Sequence, residues 1–109
     1  MTDYFSAVAD GSHHEKLCTI LAPAAAKRDS LREVLNLMSS ALRDIVVYSE
    51  TIDAEPLFFT DRDLLARAAR RLGSVRASAL FDRLAELIPL LDINVTPFAI
   101  ASEVNIEFS

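Results

Sequence analysis

A regular row of apolar residues between Leu31 and Ile45 constrains the fold of this chain more than any other feature. Its members recur at intervals of three and four residues: Leu31, Val34, Leu35, Met38, Leu42 and Ile45, with Tyr48 as an extension. This spacing matches the turn of an α-helix and places one apolar stripe along it. Leu37 and Ala41 widen the stripe, so we expect this helix to have neighbours on two sides.

The rest of the chain follows the same helical period. Besides the long helix, we predict helices over residues 3–9, 13–22, 61–72, 75–92 and 97–107. The chain has 109 residues, enough for one domain and not for two, and its two glycines and four prolines leave room for long helices. We therefore expect an all-α fold, a single small bundle of five to six helices that spans residues 1–109.

Helix boundaries are predicted from residues whose side-chain oxygens accept free backbone N–H groups, and from Pro, Gly and Asn, which end helices. The predicted caps are Ser12 with Glu15, Ser30 with Glu33 (or Asp29 in its place), Thr60 with Asp63, Ser74, and Thr96 followed by Pro97. The predicted stops are Pro23, Gly73 and Asn94, whereas Pro89 should kink or split the helix that contains it. Residues 49–60 are predicted to form a loop pinned to the core by Leu57, Phe58 and Phe59.

The apolar faces of the later helices predict which side chains point inward. For the helices over 61–72 and 75–92 these are Leu64, Leu65, Ala68, Ala69, Leu72, Leu80, Phe81, Leu84, Leu87, Ile88 and Leu91. For the last helix they are Phe98, Ala101, Val104 and Phe108. Residues 104–108 also alternate between apolar and polar, which leaves a strand open there, although the Thr96-Pro97 start favours a helix.

Composition narrows the classes of function. A net charge of −5 makes the chain a poor nucleic-acid binder on its own. A single cysteine excludes an internal disulfide framework and fits a reducing compartment. No apolar run approaches the roughly 20 residues that span a bilayer, and the N-terminus lacks the basic segment of a signal peptide. We expect a cytoplasmic protein.

The residue types needed for catalysis or cofactor binding are poorly represented. The two glycines, at 11 and 73, cannot form a phosphate-binding loop. His13 and His14 are adjacent and would make a poor metal chelate. Cys18 with His14, and Asp82 with Glu86, have spacings that could serve catalysis, but a buried thiol and a solvated helix face are the simpler interpretations. We predict no catalytic residues, metal, cofactor or small-molecule substrate.

Arginines are concentrated between residues 61 and 83. This segment holds six arginines against three aspartates, so its net charge is +3 and the remainder of the chain carries −8. Arg67, Arg70 and Arg71 share one helix face and could meet an acidic neighbouring subunit or a DNA phosphate. Ordinary intrachain pairing, such as Asp63 with Arg67, is the alternative. As candidate subunit-interface residues we take these three arginines for their charge, and Phe98 and Phe108 because a position near the C-terminus could leave them exposed.

The order of several features resembles the C-terminal domain of the delta-prime subunit of bacterial DNA polymerase III, a clamp-loader subunit. The likeness runs from about Leu31 to the end. It begins with Leu42-Arg43-Asp44-Ile45 late in the long helix and with Asp63 and the apolar residues that follow it. It continues with the amphipathic helix that ends at Leu91, with Asn94, and with the final segment from Pro97 to Phe108, which contains Glu103. The sister gamma/tau subunit has a similar domain, and the Asp44 and Asn94 positions favour delta-prime.

The resemblance implies a function in assembly rather than in catalysis. In this family the domain packs with its counterparts in a pentameric collar, which holds ATP-driven AAA+ modules in a ring that opens the sliding clamp. The expected partners are the C-terminal domains of the delta and gamma/tau subunits, with DNA contacted only indirectly and no membrane involved. The AAA+ module of a complete subunit is absent here, so we expect an excised domain or a Met1 that is not the native start.

Two other classes of function remain open at this point. A small helical enzyme could bind an anionic metabolite between helices, if arginines converged there on a general acid or base. An unrelated helical adaptor would share the surface features of a collar domain but would ignore clamp-loader partners.

Overall fold

A computed structural model of the chain describes residue 5 and residues 20–51, 55–93 and 96–108. This part of the chain is all-α, which confirms the predicted fold class. Residues 20–24 are helical, and four longer α-helices and one 3₁₀ helix follow. The elements are α1 (Arg28–Glu50), α2 (Arg62–Leu72), α3 (Ser74–Leu87), the 3₁₀ helix (Ile88–Asp92) and α4 (Pro97–Glu107). The predicted 3–9 helix, the Ser12–Glu15 cap, His13, His14, Cys18 and the Asn94 stop lie outside the described residues.

Helix α1 is the central element of the bundle. It packs against α2, α3, the 3₁₀ helix and α4, with its closest association along α3. Its buried side chains are Leu31, Leu35, Met38, Ala41, Leu42, Asp44 and Ile45, which confirms the predicted stripe in its main positions. Val34 and Tyr48 are half-buried, and Leu37 is exposed, so only Ala41 widens the stripe as expected.

The predicted start of α1 was wrong, because a cap at Ser30 places the first helical residue three positions too late and the alternative cap at Asp29 places it two positions too late. The helix begins at Arg28 after Lys27, whose side chain makes no capping hydrogen bond, so Ser30, Glu33 and Asp29 do not form a cap. Arg28 donates to the carbonyl oxygen of Leu91 at 2.6 Å, a long-range contact that anchors the first turn without a local cap. Residues 20–24 likewise stay helical through Pro23 to Ala24, where Ala25 donates to the carbonyl oxygen of Leu21. The helical run therefore continues two residues beyond its predicted end.

The link between α2 and α3 is a single residue. Asp61, not Thr60, caps α2: its carboxylate accepts the N–H groups of Asp63 and Leu64 at 2.9 and 3.3 Å. Gly73 ends α2 as predicted and also directly precedes α3, so Ser74 is already helical and makes no cap. The φ of Gly73 is +83°, a backbone conformation that residues with a Cβ rarely adopt.

Two prolines mark helix boundaries in the C-terminal third of the chain. Helix α3 gives way to the 3₁₀ helix at Ile88, next to Pro89, which confirms the predicted split. Thr96 caps α4 by accepting the N–H of Ala99 at 3.3 Å, and Pro97 is the first helical residue, as predicted. The strand alternative for residues 104–108 is wrong, because the helix continues to Glu107.

Two aromatic positions differ from the predicted core. Phe98 is 73% exposed because it lies on the first turn of α4, at the side of the bundle formed by Leu21, Ala22 and Ala25. Phe81 is 36% exposed on the side of α3 that faces Val46 and Val47. Ile100 takes the inward position on α4 together with Ala101, Val104 and Phe108. Among the described helices, none combines the length and apolar character needed to cross a bilayer.

Replacement of Gly73 tests the α2–α3 link. An added Cβ would meet nothing within 4 Å, so the penalty of Gly73→Ala is backbone strain alone. We expect a loss of roughly 1–3 kcal/mol in the free energy of unfolding, measured by urea denaturation. Ser74→Ala is the matched control and should be nearly neutral, because Ser74 makes no capping hydrogen bond. Equal stability of Gly73→Ala and wild type would contradict this account of the link.

Candidate functional site

Of the residues that carry the resemblance, Arg43, Asp44 and Glu103 lie where helices join, and Asp44 is buried although it is charged. It is 2% exposed, although aspartate is rarely buried without partners. Its Oδ1 accepts the N–H of Leu57 at 2.8 Å, and its Oδ2 accepts those of Phe58 and Phe59 at 2.7 and 3.1 Å. One carboxylate thus satisfies three successive backbone donors of the loop that leads into α2.

Arg43 and an aromatic cluster complete this junction. Arg43 Nη1 lies 3.2 Å from Asp44 Oδ1 and 3.4 Å from the carbonyl oxygen of Glu55, so it neutralises the buried charge and holds the same loop. Phe58 and Phe59 contact edge to face with ring centroids 5.1 Å apart, and Phe5 lies 5.4 Å from Phe59. The prediction that this loop is pinned to the core is confirmed for Phe58 and Phe59, whereas Leu57 is exposed.

A second junction joins α3 to α4 through Arg83. Its guanidinium donates to Glu86 at 2.9 Å and to Glu103 at 2.8 Å, and its Nε lies 3.6 Å from Glu107. The hydrogen bond from Arg83 lowers the pKa of Glu103 below its ordinary value of 4.5. Arg76 adds a hydrogen bond of 3.0 Å to the carbonyl oxygen of Glu107, one of the free acceptors at the end of α4. Glu103 is therefore a structural partner of α3.

A third junction, between the start of α1 and the end of the 3₁₀ helix, was not predicted from the sequence. Arg28 donates to the carbonyl oxygens of Leu91 and Ile93 at 2.6 and 3.3 Å, and Arg32 pairs with Asp92 at 2.6 Å. The hydrogen bond from Arg32 lowers the pKa of Asp92. These contacts fix the end of the 3₁₀ helix on the start of α1. The partners are 60 to 65 residues apart, and no local pattern signals such a pairing.

The arginines of segment 61–83 divide into two groups. Four pair within the chain: Arg62 with Glu55, Arg67 with Asp63, Arg76 with Glu107 and Arg83 with its three glutamates. The pairing of Asp63 with Arg67 is the intrachain alternative that the sequence left open. Arg70 and Arg71 are exposed in the last turn of α2 and make no hydrogen bond or ion pair with any residue in the described ranges. Within this segment, they are the cations left to meet a partner.

The two aromatic candidates for an interface are placed differently. Phe98 is exposed and lines a shallow groove with Leu21, Ala22 and Ala25. Phe108 is 2% exposed and belongs to the core, so the expectation of exposure that put it among the interface candidates was wrong. The i+4 spacing of Ile100, Val104 and Phe108 explains this, because it aligns all three on the inner face of α4.

Few of the described side chains are grouped in a way that could support catalysis or metal binding. Asp82 is exposed, while Glu86 is engaged by Arg83, so the two carboxylates have different surroundings despite their one-turn spacing. Across the described residues, histidine, cysteine and carboxylate side chains do not gather in groups that could hold a metal ion.

No protein-family model, curated protein or solved structure matches this chain.

Removal of the Asp44 carboxylate tests the first junction. Asp44→Ala leaves three loop N–H groups without their acceptor, each at a cost of about 1–3 kcal/mol if it stays buried, so we expect a loss of at least 3 kcal/mol. Urea denaturation measures the loss, and hydrogen exchange at the amides of Leu57, Phe58 and Phe59 should accelerate selectively in Asp44→Asn. Glu33→Ala, on the exposed face of the same helix, should stay within about 0.5 kcal/mol of wild type. Unchanged exchange at those three amides would contradict the proposed role of Asp44.

Titration tests the Arg83 junction. The pKa of Glu103 is lowered in the folded state, so its contribution is fully present above its unfolded pKa of about 4.5 and is lost as the pH falls through the folded value. Thermal denaturation of Glu103→Gln between pH 7 and pH 2 should therefore show a smaller decrease in Tm with acidification than wild type shows. Glu33→Gln, which changes an exposed carboxylate with no ion-pair partner among the described residues, serves as the control. Parallel curves for Glu103→Gln and wild type would exclude this linkage.

Proposed function

We propose that this chain is an assembly domain of the clamp-loader collar type, the C-terminal domain of a delta-prime subunit of bacterial DNA polymerase III. The proposal rests on the resemblance of residues from about Leu31 to the end of the chain. One observation carries it: three polar residues of that resemblance, Arg43, Asp44 and Glu103, hold helix junctions, whereas Asp63 pairs with Arg67 within α2. Polar residues that hold helices together are required by the fold, so proteins that share the fold can share these residues.

The proposed role is to hold subunits together in the replication machinery of the cytoplasm. Neighbouring C-terminal domains of delta and gamma/tau subunits would pack against helix faces of this bundle. ATP binding and hydrolysis would occur on their AAA+ modules, and DNA would be engaged by the complete complex. In this role the chain itself carries out no catalysis and needs no cofactor.

The exposed side chains offer two surfaces for such neighbours. Arg70 and Arg71 present two charges at the end of α2, suited to carboxylates on an adjoining domain because the planar guanidinium binds them in bidentate fashion. Phe98 presents an exposed aromatic ring at the start of α4. Buried aromatic and arginine side chains dominate the binding energy of many protein interfaces.

Size-exclusion chromatography with light scattering tests the proposal directly. The chain is run alone and mixed with the C-terminal domains of delta and gamma/tau from the same organism. A co-eluting complex that no single component forms is the expected result, and Arg70→Glu/Arg71→Glu should weaken it. Glu33→Lys, which also alters charge at an exposed helix position, is the control and should leave the complex intact. Failure to co-elute with these domains and with the full-length subunits would refute the proposal and favour an unrelated helical adaptor.

A further inference from the structure

Helices α2 and α3 are separated by one residue that still belongs to the hydrogen-bond pattern of both. Gly73 donates its N–H to the carbonyl oxygen of Ala69 at 2.9 Å, and its own carbonyl oxygen accepts the N–H of Ala77 at 3.0 Å. Both contacts are the i to i−4 bonds of an α-helix. Only the backbone angles of Gly73, φ +83° and ψ +151°, turn the chain between the two helices.

The buried faces of α2 and α3 are in phase across this turn. The residues that form this common face are Leu65, Ala69, Gly73, Ala77, Leu80, Leu84 and Leu87, of which all but the glycine are buried. Their intervals are four, four, four, three, four and three residues, the spacing of one apolar stripe on a single helix. Residues 62–87 contain no proline, so this stretch can form one continuous amphipathic helix if Gly73 becomes helical.

The single chain needs the turn because α1 packs against both helices. Val47 of α1 lines one depression with Leu65 of α2 and another with Phe81 of α3. Leu65 and Phe81 are 16 residues apart, so a straight helix would separate them by about 24 Å. A continuous helix therefore cannot keep both of them beside the Val47 of its own copy, and its α3 part has to pack on another α1.

We infer that Gly73 is a hinge at which two copies of this chain exchange the parts that follow it. In the exchanged pair, each copy has one continuous helix over residues 62–87, and its α3 part, 3₁₀ helix and α4 pack on α1 of the second copy. The contacts of Arg28 with Leu91 and of Arg32 with Asp92 are then made between copies instead of within one. The surface that the second copy occupies is therefore one that this chain already fills with its own α3.

Two changes at the hinge favour the exchanged pair. Gly73 leaves its positive φ, and three further helical hydrogen bonds form in each copy, from the N–H groups of residues 74–76 to the carbonyl groups of residues 70–72. The loss of translational and rotational freedom on association opposes the exchange, so the pair forms only at high concentration. The inference goes beyond the proposed function and does not rest on it.

Gly73→Ala tests the hinge, because alanine disfavours a positive φ and favours a helix. After unfolding in urea and refolding at millimolar concentration, light scattering should give twice the 12.0 kDa of one chain. Because both copies relax at this residue, the dissociation constant of the pair should be at least about tenfold lower than that of the wild-type pair. Ser74→Ala is the matched control and should associate as wild type does. Insertion of two glycines after Gly73 interrupts the continuous helix and should leave a single chain.

The Arg32–Asp92 contact distinguishes an exchange of parts from an association of surfaces. Gly73→Ala/Arg32→Glu and Gly73→Ala/Asp92→Arg each place like charges at this contact, both in the single chain and in their own pairs. In a mixed exchanged pair, the two substituted positions meet each other and the two native positions meet each other, so opposite charges return at both contacts. Refolding the two variants together should therefore give mixed pairs in excess of random assortment, measured by native mass spectrometry after isotopic labelling of one variant.

Circular dichroism checks that every variant is helical. If Gly73→Ala does not fold, Arg32→Glu and Asp92→Arg are compared without it, and their mixture should again favour mixed pairs. The inference is overturned if Gly73→Ala remains a single chain after refolding at millimolar concentration, if the variant with two inserted glycines dimerises, or if the charge variants assort at random. The collar proposal would be untouched by any of these results, since its test uses different partner chains.

Discussion

The buried carboxylate of Asp44 is the interaction on which the arrangement of the first helices depends. A charged group in the interior is strongly unfavourable unless it is hydrogen-bonded and paired, and here three backbone N–H groups and one guanidinium meet that requirement. Because the three donors belong to consecutive residues, satisfying them together restricts the conformation of the loop. That conformation orients Phe59 into the core and sets the direction in which α2 begins. The carboxylate therefore specifies geometry as well as contributing stability.

The other junctions use the same kind of contact at different depths. Arg83 connects α3 with α4, and Arg28 and Arg32 connect α1 with the end of the 3₁₀ helix. In each case a long cation reaches from a helix flank to a carboxylate or to backbone carbonyls that have no partner in their own helix. The apolar core supplies a general tendency to collapse, and these directional contacts select how the helices meet. The candidate site is accordingly a set of helix junctions, and within residues 61–83 Arg70 and Arg71 are the arginines that take no part in them.

Local patterns in the sequence predicted the elements well and their exact boundaries less well. The Leu31–Ile45 stripe, the break near Pro89, Gly73 and the Thr96-Pro97 start were all predicted because each acts within a few residues. The start of α1 was missed because no side-chain cap marks it, and Arg28 in the first turn is held instead by the carbonyl oxygen of Leu91, far along the chain. Phe98 and Phe108 were both predicted to point inward, but the structure places Phe98 outside the core and Phe108 within it. The resemblance singled out Asp44 and Glu103, yet their partners could be named only from the structure.

The sequence distances spanned by the junctions bear on the order in which the fold can form. Asp44 closes loops of 13 to 15 residues, whereas Arg28 closes loops of 63 and 65 residues. Closing the longer loops from an open chain costs about 1 kcal/mol more in entropy, because that penalty grows with the logarithm of loop length. The end of α1 and the start of α2 can thus associate at lower entropic cost than the start of α1 and the 3₁₀ helix. Once α2 and α3 are in place, the effective length of that longer loop shrinks, so the early local junction makes the late distant one easier to close.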